Sequence, residues 1–186
     1  MPDFYLFGGP NGAGKTTTAS QILPAMGCQT FLNADILAHG FSPLNPDAAA
    51  LRAGVALLKS ARKLAAQGEN FGTETTLAAR TWVPLIRGWR ENGYRFHLFY
   101  VWLPSAEMAM ARVAARVRAG GHNIPEETIR RRYDAGRKNF CEFYRPNADF
   151  WTVIDNSQTV FRVVAKGDAA ETQIFDHEVW NAIHQF

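Results

Sequence analysis

Nine residues near the start of the chain, Gly9-Pro10-Asn11-Gly12-Ala13-Gly14-Lys15-Thr16-Thr17, follow directly on the apolar run Phe4-Tyr5-Leu6-Phe7. They constrain the fold more than any other feature: a buried strand ends there, the chain turns through a glycine-rich loop, and a helix begins at about Lys15. Glycines at 9, 12 and 14 let the backbone fold back so that several N–H groups converge on one point. Lys15 can then reach β and γ phosphates, and the Thr16 hydroxyl can ligate Mg²⁺. The helix start adds unpaired donors and the positive end of its dipole. Gly9, Asn11, Gly12, Ala13, Gly14, Lys15, Thr16 and Thr17 are therefore read as a phosphate cradle for ATP, with Thr16 as the metal ligand.

Apolar segments of β type alternate with helical patterns along the rest of the chain, which implies crossover connections and a mostly parallel sheet covered on both faces. Strands are expected at 3–8, 28–33, 70–73 and 94–103, the last being the most apolar and so placed centrally, with a hairpin from 150–154 and 159–165. Helices are expected at 46–67, 81–91, 105–119, from 125 onward, and at 176–184. Asn45 and Ser105 are placed as caps, and Leu51, Val55, Leu58 and Ala65 as the apolar stripe of the long helix. The fold class is α/β, a three-layer α/β/α sandwich of the P-loop NTPase type, like mononucleotide and shikimate kinases. At 186 residues the chain reads as one domain over 1–186, long enough to bury about 70% of its unfolded surface.

Charge is unevenly placed. The chain carries a net +3, yet residues 112–145 hold eight arginines and Lys138 against Glu126, Glu127, Asp134 and Glu142. Arginine with little lysine suits bidentate phosphate recognition better than a diffuse nucleic-acid surface. The segment is expected to be a helical lid, with Gly120-Gly121 as its joint and His122 beside it. Cys28 and Cys141 match no metal or redox spacing, which suits a reducing compartment. No targeting segment or long apolar run is present, so the expectation is a cytoplasmic protein without a membrane partner.

In open α/β sheets ligands bind beyond the carboxyl ends of the strands, which gives weight to Asp35, Glu74 and Asp155. Asp35 is placed as a general base, or as the cap of a short helix over 36–39. Glu74 is placed against acceptor hydroxyls or the water shell of Mg²⁺, and Asp155 in a hairpin turn.

These pieces together resemble the zeta-toxin family of P-loop kinases, in its short bacterial branch often described as predicted ABC-type ATPases. The residues that carry the resemblance are the loop at 9–17, Asn33-Ala34-Asp35, Glu74-Thr75-Thr76-Leu77, the segment Arg116 to Pro125 with Gly120-Gly121-His122, Arg132-Tyr133 and Asp155-Asn156-Ser157. The resemblance implies an ATP-dependent kinase acting on a small-molecule hydroxyl such as that of UDP-N-acetylglucosamine, with an antitoxin protein as partner. It further implies that Lys15 binds the transferred phosphate, Asp35 is the base, Glu74 contacts the acceptor, and arginines such as Arg118 and Arg132 close on the phosphates. Two other readings stay open: an ATPase or switch acting on a macromolecule, and a nucleotide-binding regulator without catalysis. Neither a Leu-Ser-Gly-Gly-Gln signature nor Asn-Lys-x-Asp occurs, which removes ABC transport ATPases and guanine-specific GTPases.

Overall fold

The computed structural model describes residues 1–121 and 123–185; His122, singled out above, lies outside them. Strand β1 (Asp3–Gly8) is buried along its whole length, as a strand with neighbours on both edges and helices on both faces must be. The P-loop delivers it into α1 (Lys15–Ala25). Next come β2 (Phe31–Leu32), α2 (Ala34–Phe41), α3 (Pro46–Ala66), β3 (Phe71–Thr75), α4 (Trp82–Glu91), β4 (Arg95–Trp102) and α5 (Ala106–Arg118). Helix α6 (Glu126–Asn139) runs on through a π turn, Phe140–Tyr144, and a short 3₁₀ turn, Arg145–Asn147. The chain closes with β5 (Phe150–Asp155), β6 (Arg162–Asp168), β7 (Thr172–Ile174) and α7 (His177–His184).

Among the described residues the strands form one sheet in the order β2-β3-β1-β4-β5-β6-β7. The first five are parallel, and β6 and β7 add antiparallel to the β5 edge. β4 therefore sits in the middle, as its apolarity predicts. The carboxyl ends of β3, β1 and β4 lie side by side, with Gly8 paired to Thr75 on one flank and Tyr100 on the other. That shared edge is where the P-loop emerges.

Several expectations shift. The second strand shrinks to two residues at the sheet edge, where only β3 pairs with it. Glu74 lies within β3, not beyond it. The hairpin's return strand starts at Arg162 after a longer turn and carries a bulge opposite Val153 and Ile154, and β7 was not anticipated. The long helix buries Ala49, Ala53, Leu57 and Ala61 and leaves Leu51 and Val55 at 82% and 62% exposed. Its closest packing uses alanines, since small residues let α3 lie near Ala38 of α2; of the expected stripe, Leu58 and Ala65 pack against the main core, whereas Leu51 and Val55 face away from it.

Candidate active site

The loop after β1 is built by backbone conformation. Gly9, Gly12 and Gly14 all have positive φ, at 143°, 76° and 85°, a region open to glycine and costly for other residues. A Cβ on Gly9 would stand 2.1 Å from the carbonyl oxygen of Val101, so β4 leaves no room for any other residue. Asn156, just past β5, donates from Nδ2 to the Ala13 carbonyl at 2.7 Å and ties the loop to the neighbouring strand end. Gly14 precedes α1 and has no side chain to cap it, which leaves first-turn donors for an anion.

Lys15 is 8% exposed, and its Nζ donates to the Pro10 carbonyl at 2.9 Å. Burial lowers its pKa; the charges of Glu74 and Asp35 oppose that, while Arg116 and Arg132 add to it. Two carboxylates and two guanidiniums thus surround this ammonium. The Thr16 hydroxyl donates to Glu74 Oε2 at 2.6 Å, so a hydroxyl oxygen and a carboxylate converge at the loop's mouth. Oxygen donors of this kind suit Mg²⁺, which binds through one or two protein groups together with substrate phosphates. Among the described residues no cluster of three or more His, Cys, Asp or Glu side chains is arranged to hold a metal.

A cavity of about 490 Å³ opens beside the loop. Lys15, Asp35, Glu74 and Arg132 all line it, with Asn11, Asn33, Thr75, Thr76 and Thr81 as further polar groups. Its other wall is apolar, made by Leu51, Val55 and Leu58 of α3 together with Trp82. Leu51 and Val55 are the residues that the alanine packing of α3 turns away from the core, and the sequence reading did not assign them to the site. Among the described residues the buried Asn11 Oδ1 atom has no hydrogen-bond partner, an acceptor left for a ligand.

Of the two roles open to Asp35, the capping of α2 belongs to Asn33. Its side chain accepts from the backbone N–H groups of Asp35 and Ile36 at 2.8 and 3.1 Å, so Asn33 caps α2 and Asp35 is left in the first turn, lining the cavity. Asp155 is a structural group: 2% exposed as a side chain, it accepts from Arg162 at 2.7 Å and from the Ser157 N–H at 2.9 Å. Of the two lid arginines singled out, Arg132 reaches the cavity. Arg118 lies exposed in the last turn of α5 and lines no part of it; Arg116, two residues earlier in the same turn, is the α5 arginine whose charge acts on Lys15. Gly120 and Gly121 close α5 through bonds to the carbonyls of Val117 and Arg116, both 2.9 Å, the double bond of a Schellman cap.

A P-loop at the carboxyl edge of a parallel sheet, a buried lysine on the loop and paired carboxylates beside it define a nucleotide-binding α/β domain with the P-loop kinase fold. The chain belongs to the AAA domain family, whose model matches residues 5–140. It is 33% identical over 125 residues to an uncharacterized protein of Haemophilus influenzae, covering 67% of this chain and 88% of that one. Among solved structures, a chain of the AvrRxo1-ORF1:AvrRxo1-ORF2 complex with sulphate ions superposes with a TM-score of 0.80 at 14% identity. The match covers 98% of this chain but spans only 63% of that one, and the same complex has also been solved with ATP. A chain of the PezAT chromosomal toxin–antitoxin system of Streptococcus pneumoniae aligns over 99% of this chain and 85% of that one, at 16% identity and a TM-score of 0.68. The shared fold is the one that the zeta-toxin resemblance implies. Among the described residues no helix is long and apolar enough to cross a membrane.

Proposed function

We propose that the protein is an ATP-dependent phosphotransferase of the zeta-toxin type, which moves the γ-phosphate of ATP onto a hydroxyl of a small molecule, with UDP-sugars such as UDP-N-acetylglucosamine as the first acceptor class to test. The observation that carries this reading is the meeting of Lys15, Asp35, Glu74 and Arg132 on one cavity. A nucleotide binder needs only the loop; transfer also needs a carboxylate facing an acceptor and cations around the moving group. In this reading the loop N–H groups and Lys15 hold the β and γ phosphates. Asp35 takes the proton of the acceptor hydroxyl as its oxygen bonds to the γ phosphorus, the bond to the β-phosphate oxygen breaks, and ADP leaves. Mg²⁺ would be held by Thr16, with Glu74 beside it, and would neutralise phosphate charge. Arg132 stabilises the charge on the transferring group from the other side.

The apolar wall of α3 supports an acceptor with a non-polar face next to its reacting hydroxyl, since pockets gain affinity from buried apolar area and orientation from a few polar groups. The toxin–antitoxin system to which the PezAT neighbour belongs supports a protein partner that holds the activity in check. The test is mass spectrometry of a metabolite extract, and of UDP-N-acetylglucosamine alone, incubated with enzyme, ATP and Mg²⁺. A species heavier by one phosphate supports the reading and names the acceptor. Hydrolysis of ATP that rises only on adding protein or nucleic acid would favour the macromolecular switch instead.

A further inference from the structure

Helix α6, which carries Arg132, is fastened to the loop that follows β3 by a series of unusual contacts. Four consecutive carbonyls of that loop face it. The Thr76 oxygen lies where a Cβ on Gly136 would stand, 2.3 Å away. Asn139 Nδ2 donates to the carbonyls of Leu77 and Ala78 at 2.8 and 3.2 Å, and the Tyr144 hydroxyl donates to that of Ala79 at 2.6 Å. Arg80 then donates from Nε to Asn139 Oδ1 at 3.1 Å, so the buried amide of Asn139 is engaged at both ends. The residue so held, Leu77, has φ 58°, a conformation that a bulky residue adopts only where its surroundings impose it. Its side chain fills the space over Gly8, at the root of the P-loop, where a Cβ would be 2.4 Å from Leu77 Cδ1. One residue beyond Arg132, the Tyr133 hydroxyl donates to the buried Leu103 carbonyl at 2.8 Å.

We propose that Asn139 and Gly136 latch α6 onto the β3–α4 loop and thereby preset Arg132 at the phosphate end of the cavity, so that Arg132 belongs to the fixed wall of the site and not to a moving lid. Three features point the same way. Glycine is unfavourable against alanine in a helix interior, and the contact with Thr76 gives Gly136 a reason to be there. Leu77 keeps a strained backbone whose carbonyl is the one Asn139 grips. Tyr133 pins the helix next to Arg132 itself. Asn139 does not line the cavity and is a positioning residue, acting through Arg132.

The inference rests on the kinase reading, in which Arg132 contacts phosphate. Its test is a double-mutant cycle on the full chain, read as the dissociation constant for Mg²⁺ with a non-hydrolysable ATP analogue in titration calorimetry. Asn139→Ala is expected to weaken binding roughly fivefold in the wild-type background and less than about twofold once Arg132 is already alanine. A merely structural role would give losses that add. Gly136→Ala favours the helix by itself, forces α6 off Thr76, and provides the same readout should Asn139→Ala not fold. Additive losses, or both variants binding as tightly as wild type, overturn the latch. Failure of the kinase reading looks different: wild type ignores the analogue, or Arg132→Ala binds it unchanged, and either outcome removes the latch as well.

Discussion

Lys15 Nζ donates to the Pro10 carbonyl, in a site where burial acts most strongly against its charge, Glu74 and Asp35 oppose that, and two nearby guanidiniums add to it. A triphosphate relieves that imbalance, which makes the lysine the residue whose loss is felt first. Lys15→Ala is expected to reduce phosphoryl transfer by about 10³-fold or more and to weaken binding of the ATP analogue, both measured with the acceptor that mass spectrometry identifies. Asp35 differs, because Asn33 has taken over the capping of α2. Asp35→Asn should therefore leave the fold and analogue binding nearly intact while lowering turnover by about 10²- to 10⁴-fold; an Asp35→Asn enzyme at full rate would remove the base assignment. Gly9→Ala belongs to a third kind. Its Cβ would meet the Val101 backbone at 2.1 Å, with no flexible side chain able to yield. A loss of about 2–4 kcal/mol is expected in urea unfolding.

Helix α3 carries two apolar faces, and the division between them decides what each can tolerate. The alanine face packs on α2, while Leu51 and Val55 project at the mouth of the cavity. Val55→Asp should change stability by less than about 0.5 kcal/mol but raise KM for the acceptor with kcat nearly unchanged, the signature of binding lost equally from ground and transition state. Ala53→Asp places a charge where there is no water and should destabilise the chain severely in the same urea assay. The sequence shows that this segment is helical and where it is capped, since Asn45 and Pro46 mark its start. It hides which face is inward: larger side chains read as the core, and only the partner helix reveals that alanines make the closer contact. Asp35 and Glu74 were legible because strand ends are short and carry few polar residues. Arg116 could not be told from Arg118 by sequence, for two residues on a helix differ only in direction. Gly136 and Asn139 left a fainter trace, a glycine and an amide inside an otherwise regular helix, whose meaning depends on a loop 60 residues earlier.

Across the whole molecule, the edge of the sheet opposite the P-loop is fastened as firmly as the active edge is left open. Asp3 at the start of β1 accepts from Arg95 Nε and Nη2 at 2.7 and 2.8 Å and from His97 Nε2 at 2.9 Å, both partners lying on β4. The alternation of elements foretold a mostly parallel sheet with β4 central, but a charge cluster at the far end of β1 and β4 depends on strand order and register, which no local pattern encodes. Burial alone would raise the pKa of Asp3; the hydrogen bonds and charges of Arg95 and His97 outweigh it and leave the carboxyl below its ordinary value. Asp149 and Asp155 are lowered in the same way, against burial, by Arg90 and Arg162 respectively. A carboxyl whose folded pKa is depressed contributes stability that is fully present above its unfolded value, near 4, and is lost as pH falls through the folded value. The protein should therefore hold a flat stability plateau with respect to these groups above about pH 5 and unfold in acid as the three ion pairs are protonated. Asp3→Asn removes one of those titrations but leaves Arg95 without its anion, so stability at pH 7 drops while the slope of stability against pH between about 2 and 4 becomes shallower. Urea midpoints of wild type and variant taken across that range check the sign: curves that stay parallel down to the lowest pH would show that Asp3 is not held ionised by its β4 partners.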